Sequence, residues 1–149
     1  MPQKIQVSMY SGVKDTTGKP VFINTFIEAI KSQSSITPKV LQAREYINNN
    51  DKGNYDAIKN TLPAITPSGV FPRQARVDEV ADMDIFKHTG LLGIDIDHTL
   101  RDYGVEPQTI NDYCKEINGY RGSYITTSGD GCRVSVSYTH LTLPTTPYV

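Results

Sequence analysis

Hydrophobic spacing changes period several times along this chain, and each change marks an element. Residues 5–10 run Ile-Gln-Val-Ser-Met-Tyr, an apolar–polar alternation that predicts a half-buried strand. Residues 11–20 carry Gly, Asp and Pro and read as a loop. From Val21 the period lengthens. Phe22, Phe26, Ala29 and Ile30 fall at i, i+4, i+7 and i+8, one face of an amphipathic helix ending near residues 31–35. Thr37-Pro38 offers an N-cap and a proline at the first helical position of a second helix. That helix carries Val40, Leu41, Arg44 and Ile47, and the Asn48-Asn49-Asn50 run stops it. A third, short helix puts Tyr55, Ile58 and Leu62 on one face, with Asn54 as its cap and Pro63 as its stop.

Residues 62–72 are dense in Pro and Gly, hence extended or turning. Arg73, Arg76 and a mixed acidic stretch follow. Residues 91–96 form a short, Gly-flanked run of branched residues that predicts a buried strand. Residues 99–106 read as a polar connection. Pro107 then opens a helix with Ile110, Tyr113, Cys114 and Ile117 on one face and Gly119 beyond its end. Strand 123–127, turn 127–131 and strand 132–136 make a hairpin. The order predicts an α/β (α+β) domain, a βαβ unit plus hairpin in a mixed sheet flanked by helices.

Composition alters this picture little. A chain of 149 residues is one domain long. Its formal net charge of −1 creates no overall basic field to announce a nucleic-acid partner. No window reaches the length of a membrane-spanning helix, and no charged-then-apolar leader pattern opens the chain. Cys114 and Cys132 lack metal spacing, so the reading is a reduced, cytoplasmic protein with no membrane partner.

Chemistry concentrates in two places. Asp95 and Asp97 sit two residues apart on one face of a strand, about 6.6 Å along the chain. Two such acids are costly to bury unless paired, and a hard divalent cation pairs them through oxygen. The bland alternative is a solvated strand end. The second place is Ser128-Gly129-Asp130-Gly131-Cys132-Arg133. Its glycines let backbone amides converge on phosphate oxygens, with Arg133 adding a forked donor; a plain bulged hairpin turn is the bland alternative. Together the two segments suit phosphoryl or nucleotidyl transfer, whose catalysis is mostly positioning and charge neutralisation. Arg73, Arg76 and Lys87 read as a solvated face or as phosphate and DNA contacts. His98 reads as structural.

Three segments carry a family resemblance: residues 8–15, residues 62–71, and Gly90-Leu91-Leu92-Gly93-Ile94-Asp95-Ile96-Asp97-His98. Over residues 5 to about 135 they resemble, in order and spacing, the N-terminal domain of virulence-associated protein E-like proteins of mobile elements. That domain resembles the archaeo-eukaryotic primase fold. The resemblance implies Mg²⁺ or Mn²⁺ on Asp95 and Asp97, and nucleotide phosphates on Ser128, Gly129, Gly131 and Arg133, where Arg133 replaces the motif's His. It further implies nucleotide and DNA partners, and a C-terminal helicase-type domain in a longer parent. The family's third carboxylate motif is absent from this chain. Residues 136–149, Thr- and Pro-rich without periodicity, resemble a translated transposon adaptor from a sequencing library. The expected domain is therefore residues 1–135, continuing in the natural parent.

Two other readings stand beside this one. Asp95-Ile96-Asp97-His98-Thr99 also resembles the first motif of haloacid-dehalogenase-type phosphatases, which would make Asp95 a nucleophile and Asp97 an acid/base. That motif normally opens a chain, whereas here a long segment precedes it. The other is a non-catalytic, nucleic-acid-binding or docking module for a helicase domain.

Overall fold

The computed structural model describes residues 4–32, 35–71 and 87–138. An antiparallel sheet combines β1 (Gln6–Tyr10), β2 (Lys19–Phe22) and β3 (Ala64–Thr66) in the order β2-β1-β3. β2 begins inside the segment expected to be loop. Its Pro20 pairs with Ser8 at the sheet's edge, where a missing N–H is tolerated. Helix α1 (Ile23–Lys31) follows and buries Ile23, Phe26 and Ile27, at i, i+3 and i+4. Phe22, expected on that face, instead occupies the N-cap position and is half exposed.

Helix α2 (Thr37–Asn48) has Pro38 in its first turn, but Ile36 rather than Thr37 is its N-cap residue and no side chain caps it. Helix α3 (Lys52–Lys59) is capped by Asp51, whose carboxylate accepts the Asn54 N–H at 3.2 Å. Asn54 is thus the recipient of the cap. β4 (Gly69–Val70) and β5 (Lys87–His88) form a two-stranded ribbon.

The third sheet positions the site. It contains β6 (Leu91–Ile96), β7 (Tyr120–Ile125) and β8 (Cys132–Ser137) in the order β6-β8-β7. Between β6 and β7 run α4 (Thr99–Tyr103) and α5 (Pro107–Cys114). β6 and β7 each run antiparallel to β8 and so parallel to one another. The α+β class and the strand–helix–strand unit are therefore present, but the mixed sheet is not: every ladder among the described residues is antiparallel. The tight β7–β8 turn makes those two strands pair locally, and the returning strand then offers its other edge to β6. β8 takes in Val136 and Ser137, the first two residues of the stretch set apart in the sequence.

Alternation along these strands gives the sheet two unlike faces. Ile94 and Ile96 pack with Cys132, Val134 and Val136 beneath Cys114 of α5. On the other face Leu91 joins Val7, Ile23, Phe26, Ile27 and Ile65, locking this sheet to the first. A Cβ at Gly122 would lie 1.9 Å from Ile27 Cδ1, so a residue without a side chain lets α1 lie against β7. β6 is less buried than its apolar run implies. β8 is its only neighbour among the described residues, and only Leu91 is fully buried while Asp95 is exposed. No helix among the described residues is long and apolar enough to cross a membrane.

Burial pushes the Cys132 thiol up from its ordinary 9.0 to about 11, and the neighbouring Cys114 thiol adds to the effect. The folded protein keeps this proton while the unfolded chain releases it. Stability from this group is therefore complete below about pH 9 and lost as pH rises toward 11. Urea midpoints at several alkaline pH values are expected to fall more steeply for the wild type than for Cys132→Ala; equal slopes would contradict it.

Candidate functional site

The β6–β8 register brings the two chemical segments together. Asp95 pairs across the ladder with Arg133, and Arg133 with Tyr124 on β7. Arg133 Nη2 donates to Asp95 Oδ2 at 2.7 Å and its Nε donates to Oδ1, a two-pronged fork that occupies both carboxylate oxygens. The hydrogen bond to Asp95 raises the guanidinium's affinity for its proton further. Burial raises the Tyr124 hydroxyl, and the Arg133 charge opposes that rise. Asp97 lies one residue past β6 and has no ion-pair partner among the described residues.

Asp95, Asp97, Ser128 and Arg133 all line one cleft of about 740 Å³. α1 and α2 also line it, with the apolar Phe26, Ile30 and Val40 and the basic Lys31 and Arg44. Asp95 and Arg133 face the same space because neighbouring antiparallel strands carry them at matched positions.

The glycines do a different task from the one expected. Gly129 has φ +76° and its N–H donates to Thr126 O at 3.0 Å, closing the turn rather than pointing to a ligand. Ser128 Oγ lies 3.1 Å from Thr126 Oγ1 and accepts the Asp130 N–H at 3.4 Å. Gly131 packs edge-on against the β6 backbone. Two of the turn's amides, those of Gly129 and Asp130, are therefore engaged within the turn. Of the hairpin residues, Ser128 and Arg133 reach the cleft as side chains.

Arg44 is the residue that sequence reasoning passed over, placing it in a helix face of otherwise apolar residues. From α2 its Nε donates to Thr127 O at 3.3 Å and its Nη2 to Thr126 O at 3.2 Å. It clamps the start of the turn and lines the cleft. Its position four residues after Val40 was the available signal: a cation on an apolar stripe needs a partner.

The tip of the hairpin caps α4, the short helix hidden in the expected polar connection. Asp130 O accepts the Thr99 N–H at 2.9 Å and Asp130 Oδ1 accepts the Arg101 N–H at 3.0 Å. His98, at φ +60°, places Nδ1 3.0 Å from Asp130 Oδ2 and has a structural place there. Burial raises the Asp130 carboxyl, but the contacts from His98 and Arg101 outweigh it and leave it below the usual range. Arg73 and Arg76 lie outside the described residues.

Two carboxylates on one cleft wall fit a hard divalent cation. Mg²⁺ typically binds one or two carboxylates and completes its shell with water and substrate phosphate. No group of three or more His, Cys, Asp and Glu side chains is gathered as a cage among the described residues. No family model, curated protein or solved structure matches this chain.

Proposed function

We propose that this chain is a primase-like nucleotide-binding domain, acting within a larger cytoplasmic protein that replicates a mobile element. The observation that carries the reading is the convergence of Asp95, Asp97, Ser128 and Arg133 on one cleft. Its volume is in the range of small-molecule sites, and its lining combines charged with apolar residues. A nucleoside triphosphate likewise combines a charged polyphosphate with an apolar base face.

In this reading Asp95 and Asp97 hold Mg²⁺ or Mn²⁺, while Arg133 and the Ser128 hydroxyl hold phosphate oxygens. The cation, when bound, supplies charge neutralisation for nucleotidyl transfer. Arg44 holds the start of the hairpin turn by donating to the Thr126 and Thr127 carbonyls. Phe26, Ile30 and Val40 give the base an apolar surface and exclude water. DNA as template and a helicase-type domain in the parent complete the proposal.

Titration of the full chain with a fluorescent nucleoside triphosphate and Mn²⁺ tests it. Binding is expected for the wild type. The variant Asp95→Asn with Asp97→Asn should lose at least about tenfold in Mn²⁺-dependent affinity, a change of about 1.4 kcal/mol, with an unaltered circular dichroism spectrum. Equal Mn²⁺-dependent affinity in both proteins overturns the assignment.

A second reading, a non-catalytic DNA-binding or docking module, has one observation in its favour: Arg133 already occupies both oxygens of Asp95. DNA binding indifferent to metal and to both Asp substitutions would support it. The same fork weighs against the phosphatase reading, since it covers the proposed nucleophile.

A further inference from the structure

We infer that the Asp95–Arg133 fork is an exchange pair that couples cation binding to polyphosphate binding in the cleft. The inference rests on the nucleotide reading above and adds how the two ligands depend on one another. Both oxygens of Asp95 are engaged by one guanidinium. A divalent cation reaching that carboxylate meets a positive group already in place, and the two repel at contact distance. The cation therefore has to displace Arg133. A phosphate drawing Arg133 away has the reverse effect and uncovers Asp95.

Three observations make Arg133 the group that moves. The Asp95 and Arg133 side chains are 46% and 39% exposed, so solvent screens their attachment and water can take over either partner as the fork opens. The other guanidinium of the cleft, Arg44, is tied to two main-chain carbonyls, which carry no charge for a cation to compete for. Asp97 has no ion-pair partner among the described residues and can receive a cation before the fork opens. With neither ligand bound, the fork neutralises both charges. With both bound, each partner has a new counter-charge. With only one bound, the other partner is left uncompensated, and that state is disfavoured.

Binding measured calorimetrically on the full chain separates this coupling from simple charge effects. The probes are Mn²⁺ alone and inorganic tripolyphosphate in a chelator. Arg133→Gln should bind Mn²⁺ at least about fivefold more tightly than wild type. Arg133→Lys, which keeps the charge but has no fork, should retain a clear part of that gain. Asp95→Asn should bind metal-free tripolyphosphate at least about fivefold more tightly, while Asp97→Asn, with the same change in charge outside the fork, should gain much less. Equal gains for the two Asp variants overturn the exchange, as does wild-type Mn²⁺ affinity in Arg133→Lys. If Mn²⁺ and a nucleoside triphosphate both bind the wild type but these shifts are missing, the nucleotide reading survives and the coupling does not. If neither binds, both are overturned.

Discussion

Leu91→Ala is expected to destabilise the protein by about 2–5 kcal/mol, the range for emptying a fully buried leucine site. The Leu91 side chain is 0% exposed and is the contribution of β6 to the cluster formed by Val7, Ile23, Phe26, Ile27 and Ile65. Those residues belong to the first sheet and to α1, so Leu91, together with Tyr124 of β7, fastens the site-bearing sheet to the rest of the core. Removing it leaves a cavity that cannot collapse without shifting one sheet against the other. Urea unfolding followed by circular dichroism will report the loss as a lower midpoint at similar slope. Leu91→Ile, which preserves volume, is expected to lose less than about 1.5 kcal/mol. Equal effects for the two variants would show that the side chain does not join the sheets.

Gly131→Ala is expected to lose about 1–3 kcal/mol by overpacking and to disturb the cleft as well. A Cβ there would lie 2.3 Å from Ile96 O and 3.0 Å from Asp97 Cα. Both are backbone atoms, so no rotamer change relieves the overlap. The hairpin must withdraw from β6 at the point where the ladder carries Asp95 opposite Arg133. The comparison is Gly122→Ala, where the nearest atom is the terminal methyl Cδ1 of Ile27, which can rotate away. The Gly131 variant is therefore expected to weaken Mn²⁺-dependent nucleotide binding as well as stability, and the Gly122 variant to affect stability alone. Unchanged nucleotide binding in Gly131→Ala would separate the turn from the site.

Much of this architecture is written in short-range pattern. Alternation in residues 5–10, the hairpin signals around residues 123–136, the period of four in the α1 region and the proline at the head of α5 each specify local conformation, and each element formed there, α1 starting two residues later than its pattern. The D-x-D spacing also carries its own consequence, because alternate strand residues share a face whatever surrounds them. Where local signals fail, the partner is distant. α4 is five residues long and draws its cap from Asp130, which touches it in the fold but lies 29 residues beyond Arg101 along the chain. Arg44 is explained only by carbonyls more than eighty residues later.

The residues by themselves determined most of the helices and strands, though not β2 or α4, and that two acids and a glycine turn are available to one chemistry. The tertiary structure alone decided that β8 inserts between β6 and β7, that Asp95 meets Arg133, and that Asp130 at the turn's tip caps α4. The physical reason is reach. Periodicity is set by backbone geometry over a few residues, whereas register and charge pairing are set by which surfaces are buried together, and that is known only once the whole core has closed.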